Sequence, residues 1–504
     1  MTNTPLHIVV VGYGPVAARF VDQLLPAVRS GAVALTVIGE ESAAAYNRVL
    51  VADLGVGRTT AAAIALSDAA ELVAAGVNVH LGTRVLRLDR ARQQVRLADG
   101  TSLRYSKLVF ATGARPVVPP LHGLNPDPAA RVALPRGVTA LRDLADAAQL
   151  SDAVDRKAKV VVLGGGILGL EAALAAQDEG ASVTVVHHGT HALARSIDAG
   201  AGHTLAAALR SSGITVISNA RSVGVQLSPG HDGELRFSAL LQESGAPVEG
   251  DLLVLSCGVR PRVEVAAGAG LATDRGILVD HRLAALHDPN VFAMGDCAQV
   301  RCLDSDCADC AASDGPLGLI GPGWRQAEWL ADFLTGSLAV PLPAERAPVM
   351  MLKARGVDVA AAGEVQAGPF DPVPGLSVSQ WADPEHGKYV KMSTRDGVLA
   401  GFISVGMPRT GAELTLLFER GSELPADRSA LLRLDGPDRD TAATADPART
   451  VCRCAGVAEE TITAAAARGC STVAEVSAVT RAGTGCGGCH GELKELIEKH
   501  FAPA

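Results

Sequence analysis

Of the ten cysteines in this chain of 504 residues, Cys452, Cys454, Cys486 and Cys489 form a CxC pair and a CxxC pair near its C-terminal end. A thiolate is a soft anionic ligand, and each close pair arrives from one short loop. The four together therefore satisfy both irons of a [2Fe-2S] cluster, two per iron. Zinc accepts the same set of four thiolates. A second group, Cys297, Cys302, Cys307 and Cys310, falls within 14 residues, and its last three members have the x4, x2 spacing of an iron–sulfur loop. Either this loop holds a second iron–sulfur cluster or a zinc with Cys297 as fourth ligand, or Cys297 is an ordinary buried thiol and another ligand must be found. Free or disulfide-prone cysteines are the remaining alternative. Short-spaced groups in a long chain point to metal or redox chemistry before structural disulfides.

Two glycine turns carry the rest of the chemistry. In LHIVVVGYGPVA, Leu6 to Ala17, an unbroken apolar run suits a strand buried on both faces, followed by a turn and a helical pattern. Gly12 permits the tight turn, Gly14 lets backbone approach a pyrophosphate, and Ala17 leaves room for close helix–strand packing. A strand over Ala34 to Ile38 then reaches Glu40, where a carboxylate would meet ribose hydroxyls, and Arg48 could pair with a pyrophosphate oxygen. The same architecture recurs at Lys159 to His188: strand, a full GxGxxG at Gly164, Gly166 and Gly169, a helix over Leu170 to Glu179, and a strand over Ser182 to Val186. This second strand ends in His187-His188 with Arg195 nearby, where an NAD-selective fold presents an acid. NADPH is therefore permitted, with Arg195 or a protonated histidine to pair with its 2′-phosphate; the other reading is a surface histidine pair with no cofactor role.

The elements between these turns must bring them together. Leu108 to Pro116 reads as a buried strand ending in Thr112-Gly113, stiffened at its exit by prolines, and residues 121 to 136 as a surface connection. Asp251 to Arg262 is a strand reaching Gly258, and Asn290 to Cys297 is another ending in Gly295-Asp296, whose carboxylate could hold ribityl hydroxyls. Lysine and arginine total 45 against 54 acidic residues, which leaves no electrostatic footprint for nucleic acid or an anionic membrane. No window approaches about 18 uninterrupted apolar residues, and no signal peptide precedes the first strand, so a soluble, cytoplasmic protein is expected.

Taken in order, GxGxxA, ATGARP, GGGILGLE, CGVRP and AMGDC resemble the two-dinucleotide flavoprotein disulfide reductase superfamily over residues 1 to about 335. That resemblance implies that Gly12, Gly14, Ala17, Glu40, Thr112, Gly113 and Asp296 touch FAD, and that Gly164, Gly166, Gly169, Glu171 and Gly258 line the NAD(P)H site. Residues 41 to 60 lack the cysteines of members that work through a reactive dithiol, so disulfide reduction is disfavoured. LKARGVDVAAAGE and YVKMSTRDGVLAGFISVG are similar to the pyridine-nucleotide halves of assimilatory nitrite and nitrate reductases, while VCRCAGV and RAGTGCGGC resemble the bacterioferritin-associated ferredoxin type of [2Fe-2S] domain.

The fold class expected is α/β. Two Rossmann-like domains bind FAD (residues 1–120 and 253–338) and NAD(P)H (121–252). An α+β domain (339–435), a linker (436–449) and a small helical [2Fe-2S] domain (450–504) follow. Function follows from electron counting: a nicotinamide yields two electrons together, a cluster takes one at a time, and flavin does both. The expectation is an NAD(P)H:acceptor oxidoreductase without a catalytic acid or base. It would feed a separate partner, first the molybdenum catalytic subunit of an assimilatory nitrate reductase, second a separate nitrite reductase. An amine- or opine-type dehydrogenase subunit is the rival, and the complete GGGILGLE segment argues against it.

Overall fold

Ile8, Val9 and Val10 are all fully buried, and because successive strand residues point to opposite faces, the strand Leu6–Val11 must be covered on both sides. A computed structural model of the chain describes residues 5–127, 132–230, 232–304, 307, 310, 315–316, 318–338, 340, 342–343, 347–435, 449–452, 454–485 and 487–501. In it this strand runs parallel to Val33–Ile38 on one side and Lys107–Phe110 on the other. These three lie side by side in an eight-stranded sheet, which Asp288–Ala293, Ile277–Val279 and Ala298–Val300 from late in the chain extend on the Lys107–Phe110 side. The helix Pro15–Arg29 packs beside the distant helix Ile320–Leu334, where Gln23 donates to Asp332 at 3.1 Å and Arg19 pairs with Glu328.

The second glycine turn sits on a five-stranded sheet whose centre, Lys159–Leu163, is parallel to Ser182–Val186 and Leu252–Leu255. This corrects one expected boundary. A return to the first domain at residue 253 would cut the strand Leu252–Leu255, which is wholly buried in the second sheet; the chain crosses back afterwards, where Val259–Pro261 pairs with Ala114–Pro116. The next unit is a five-stranded antiparallel sheet from Met350–Ala354 to Val398–Val405, packed with the helix Pro408–Arg420.

Three helices, Glu459–Ala467, Val473–Thr480 and His490–Phe501, enclose the fully buried Ile462, Val476 and Leu493 in the tail. The last opens directly from a turn at Gly487: the His490 amide donates to the Gly487 carbonyl at 3.0 Å. Of the expected linker, residues 436–448 lie outside the described residues. Arg449 belongs to the tail, since it pairs with Glu459 at 2.8 Å and with Glu492. Among the described residues no helix is long and apolar enough to cross a membrane.

A buried charge joins the second sheet's layer to the antiparallel sheet. Asp198 caps the helix Ala199–Ser211 and accepts from Tyr389 Oη at 2.6 Å and from Lys391 Nζ at 2.7 Å, and Lys391 is only 1% exposed. Burial alone would raise the Asp198 carboxyl, but the Ala201 amide, Lys391 and Tyr389 outweigh it and hold it below the ordinary carboxylate value. A lowered folded pKa means stability that is complete above the unfolded value of about 3.9 and lost as pH falls through the folded one. We expect Asp198→Asn, which strands the Lys391 charge, to cost about 3 kcal/mol near neutrality. In calorimetric scans the gap from the native chain should close below about pH 4.

Candidate functional site

Gly12 has φ +105°, and a side chain there would collide with the Ala111 carbonyl; the first turn therefore lies flat against the Phe110–Gly113 corner, as only glycine allows. Gly14 is the N-cap of Pro15–Arg29 and offers no side-chain cap, so the first amides of that helix face a cavity. The second turn repeats this. Gly164, at φ +127°, lies against the Ser256 carbonyl; a Cβ on Gly169 would sit 2.9 Å from Ser256 Cβ; and Gly166, N-cap of Ile167–Asp178, has nothing within 4 Å of where its Cβ would stand and no side-chain cap. Elsewhere Asp68, Asp143 and Asp198 close the ends of their helices with side-chain oxygens. Two open helix N-termini behind glycine turns are ready anion sites.

The cavity, about 1740 Å³, is lined by both halves: Gly12, Thr112 and Asp296 from the first layer, Ile167 and Glu171 from the second. Arg48 lies beside the first turn, its Nε 3.8 Å from where a Gly14 Cβ would be, while its guanidinium pairs with Glu41 and lies 5.0 Å over the Tyr46 ring. Burial would raise the Glu41 carboxyl, and Arg48 holds it below its ordinary value instead. Glu40 is exposed and bound by Arg262 at 2.7 Å and Arg84 at 3.5 Å. Gly295 donates its amide to Gln326 at 2.8 Å, and Asp296 meets Arg142 at 3.3 Å. Thr112 Oγ1 donates to the Arg262 carbonyl at 2.7 Å, and the Gly258 carbonyl accepts from the Val117 amide at 2.9 Å. Ala17 is fully buried beneath the first turn.

Arg142 escaped the sequence reading. The strained Leu141, a non-glycine residue at φ +46°, precedes it, and the Arg142 side chain enters the cavity toward Asp296 from the second layer. Its buried Nε has no partner among the described residues. At the second strand's end the histidines divide. His187 is 4% exposed, packs beneath Gly165 and meets Ser218 Oγ at 3.2 Å, and burial lowers its pKa. It is therefore neutral and enclosed, which corrects the reading of it as a phosphate-pairing cation. His188 and Arg195 are exposed at the same corner.

The tail thiols converge. Cys452 Sγ lies 3.8 Å from Cys454 Sγ, accepts from the Gly483 amide at 3.4 Å, and is pulled far below the ordinary thiol value by its thiol neighbours Cys454 and Cys489. Cys486 lies outside the described residues. Cys454 and Cys489 line the same cavity as Gly12 and Gly14 of the first turn and Ile167 and Leu168 just beyond the second. The loop before the CxxC pair is tied to the first domain by Asn47, 1% exposed, whose amide donates to the carbonyls of Thr484 at 2.7 Å and Gly485 at 2.5 Å. Asn47 stands beside Arg48 in the sequence, and only its burial reveals its use.

In the other cysteine group, Cys297 is not a ligand. It is fully buried, directed at the Met294 and Phe110 carbonyls at 3.3 and 3.5 Å, and burial pushes its thiol up. Cys302, Cys307 and Cys310 gather instead with His281.

A protein-family model of pyridine nucleotide-disulphide oxidoreductases matches residues 6–315, and one of BFD-like [2Fe-2S] binding domains matches 450–499. Two relatives from Bacillus subtilis are similar over nearly all of this chain. One is a nitrite reductase [NAD(P)H], 27% identical over 98% of this chain and 57% of its own length. The other is an assimilatory nitrate reductase electron transfer subunit, 28% identical over 97% of this chain and 59% of its own. The chain thus spans less than two thirds of either. Among solved structures, the covalent putidaredoxin reductase–putidaredoxin complex shares the fold with a TM-score of 0.70, at 23% identity, covering 85% of this chain and 96% of that one. These families imply FAD, NAD(P)H and a [2Fe-2S] cluster. The open helix ends, the unpartnered Arg142 Nε and the converging thiols all fit those groups.

Gly166 has an ordinary φ and open space around it, so Gly166→Ala should fold and keep its flavin. If backbone there approaches the nicotinamide nucleotide, its KM should rise about tenfold, the equivalent of about 1.4 kcal/mol. Arg195→Ala should lower kcat/KM for NADPH about tenfold more than for NADH, whereas His187→Asn should leave that ratio unchanged.

Proposed function

Because the chain belongs to the pyridine nucleotide-disulphide oxidoreductase family, we propose that it is an NAD(P)H-dependent flavoprotein reductase that delivers electrons through its [2Fe-2S] tail to a separate catalytic protein, the catalytic subunit of an assimilatory nitrate reductase. One observation carries this reading: the first glycine turn, the start of the helix behind the second turn (Ile167, Leu168 and Glu171) and the tail cysteines Cys454 and Cys489 open on a single cavity. Reduced nicotinamide supplies a hydride, and a flavin beside it supplies the change from paired to single-electron transfer that an iron–sulfur cluster needs.

The chain's own residues hold and orient. Gly12, Gly14 and Ala17 would seat one dinucleotide with its pyrophosphate on the Pro15–Arg29 helix end; Glu40, Thr112, Gly113, Gly295 and Asp296 line or adjoin that site. Gly164, Gly166 and Gly169 would do the same for the second, with Glu171 and Gly258 beside it. Arg142 and Arg48 bring positive charge to the cavity between them. Cys452, Cys454, Cys486 and Cys489 would ligate the cluster, and Asn47 keeps the loop carrying two of them against the first domain. No acid or base is required of any side chain. Disulfide reduction is disfavoured by the lack of cysteine between residues 41 and 60, and amine or opine oxidation by the complete second nucleotide turn. The nitrite reductase relative supports a nitrite-reducing partner as a second reading.

Anaerobic addition of NADH or NADPH should bleach the bound flavin of the purified protein, with reduction of the cluster following. Asn47→Ala, which leaves two carbonyls without their donor at about 1–3 kcal/mol, should leave bleaching intact and slow cluster reduction roughly tenfold or more in stopped flow. Nitrate reduction with an added catalytic subunit would support the first partner, and reduction of nitrite alone the second. A flavin that stays oxidised with both nucleotides would overturn the proposal.

A further inference from the structure

His281 and Cys302 become neighbours through strand register. Ile277–Val279 and Ala298–Val300 pair in parallel with Val279 opposite Val300, and each residue lies two positions beyond that last pair. The Arg301 amide donates to the Val279 carbonyl at 2.7 Å, which holds the two exits together, and the His281 carbonyl accepts from the Leu342 amide at 2.9 Å. The Cys310 amide reaches the Cys307 carbonyl at 3.2 Å, and the Cys302 amide donates to Cys310 Sγ at 3.2 Å, the kind of amide–sulfur bond that orients a metal-bound thiolate.

His281 Nε2 lies 3.4 Å from Cys307 Sγ and 3.3 Å from Cys310 Sγ; Cys302 and Cys310 Sγ are 3.6 Å apart; and all four ligand atoms fall within 4.8 Å of one another. Bonds of about 2.3 Å to sulfur and about 2.0 Å to nitrogen at tetrahedral angles put sulfurs about 3.8 Å apart and sulfur about 3.5 Å from nitrogen. These three edges match one central ion. They do not match a two-iron cluster, in which ligands on opposite irons are separated further by the iron–iron vector.

The geometry points to a mononuclear zinc site with three thiolate ligands and one imidazole, formed by Cys302, Cys307, Cys310 and His281. Binding converts three thiols to thiolates with release of three protons, keeps the imidazole neutral, and leaves a net charge of −1. Four protein ligands leave no open position, so the site is structural rather than catalytic. Its three cysteines lie along the chain between the Gly295-Asp296 turn and the helix Ile320–Leu334. That helix holds the Gly295 amide through Gln326, meets Arg481 of the tail through Glu328 at 3.8 Å, and presents Trp324 to the tail's Gly485. The inference is independent of the electron acceptor.

Elemental analysis of the full-length holoprotein, expressed with both metals supplied, should find about one zinc beside about two irons per chain. Cys310→Ser and His281→Asn should each lower zinc roughly tenfold or more while iron and flavin stay unchanged. Should either variant fail to fold, mercurial titration of the wild-type protein serves instead, with release of one zinc per chain expected. Cobalt grown into the protein should show thiolate-to-metal charge-transfer absorption, lost in both variants. Zinc well below stoichiometry with these thiols freely alkylated in the native protein would overturn the site, as would a disulfide between Cys302 and Cys310. Iron near four per chain with a second cluster signal would overturn it in favour of a cluster.

Discussion

The side-chain amide of Asn47 is the hinge pin of this molecule's chemistry. It donates to two carbonyls of the loop that leads into the CxxC pair, from a position that is itself buried. A buried amide left without acceptors would cost about 1–3 kcal/mol, so the loop is held where both carbonyls can reach it. Around this contact Gly485 sits so close to Cys454 and Trp324 that no side chain fits, and Gly487 rests against Leu50 of the first domain. Two units with separate cores thereby line one cavity.

The same cavity depends on how the second layer is placed. Asp198 is simultaneously a helix cap and the anion for Lys391 and Tyr389, and this one carboxylate fastens the nucleotide-turn layer to the antiparallel sheet. A buried pair of this kind contributes little net stability compared with apolar packing, but breaking it leaves an uncompensated charge, and that asymmetry gives the contact its specificity. Arg142, reaching from the second layer to Asp296 in the first, is the corresponding polar link at the cavity wall.

Charge at the nucleotide corners is arranged by burial more than by residue type. His187 and His188 are identical in sequence chemistry, yet one is enclosed and neutral while the other is exposed. Glu40 and Glu41 divide as well, Glu40 to Arg262 and Arg84, Glu41 to Arg48 and Tyr46.

What the chain's letters settled by themselves were the features whose causes lie within a few residues. Unbroken apolar runs make buried strands, glycine alone accepts the positive φ of Gly12 and Gly164, and paired cysteines deliver two thiolates from one loop. Hence both strand–turn–helix units, the helical character of the tail and the family were legible at once. What the tertiary structure decided were pairings across long stretches of chain: Arg142 with Asp296, Asn47 with Gly485, the strand Leu252–Leu255 with the second sheet, and His281 in place of Cys297 beside the three loop cysteines. Those follow from strand register and from which side chain is shut away from water, and neither is encoded in local spacing, because each is set by residues far along the chain or by a neighbouring strand's alignment.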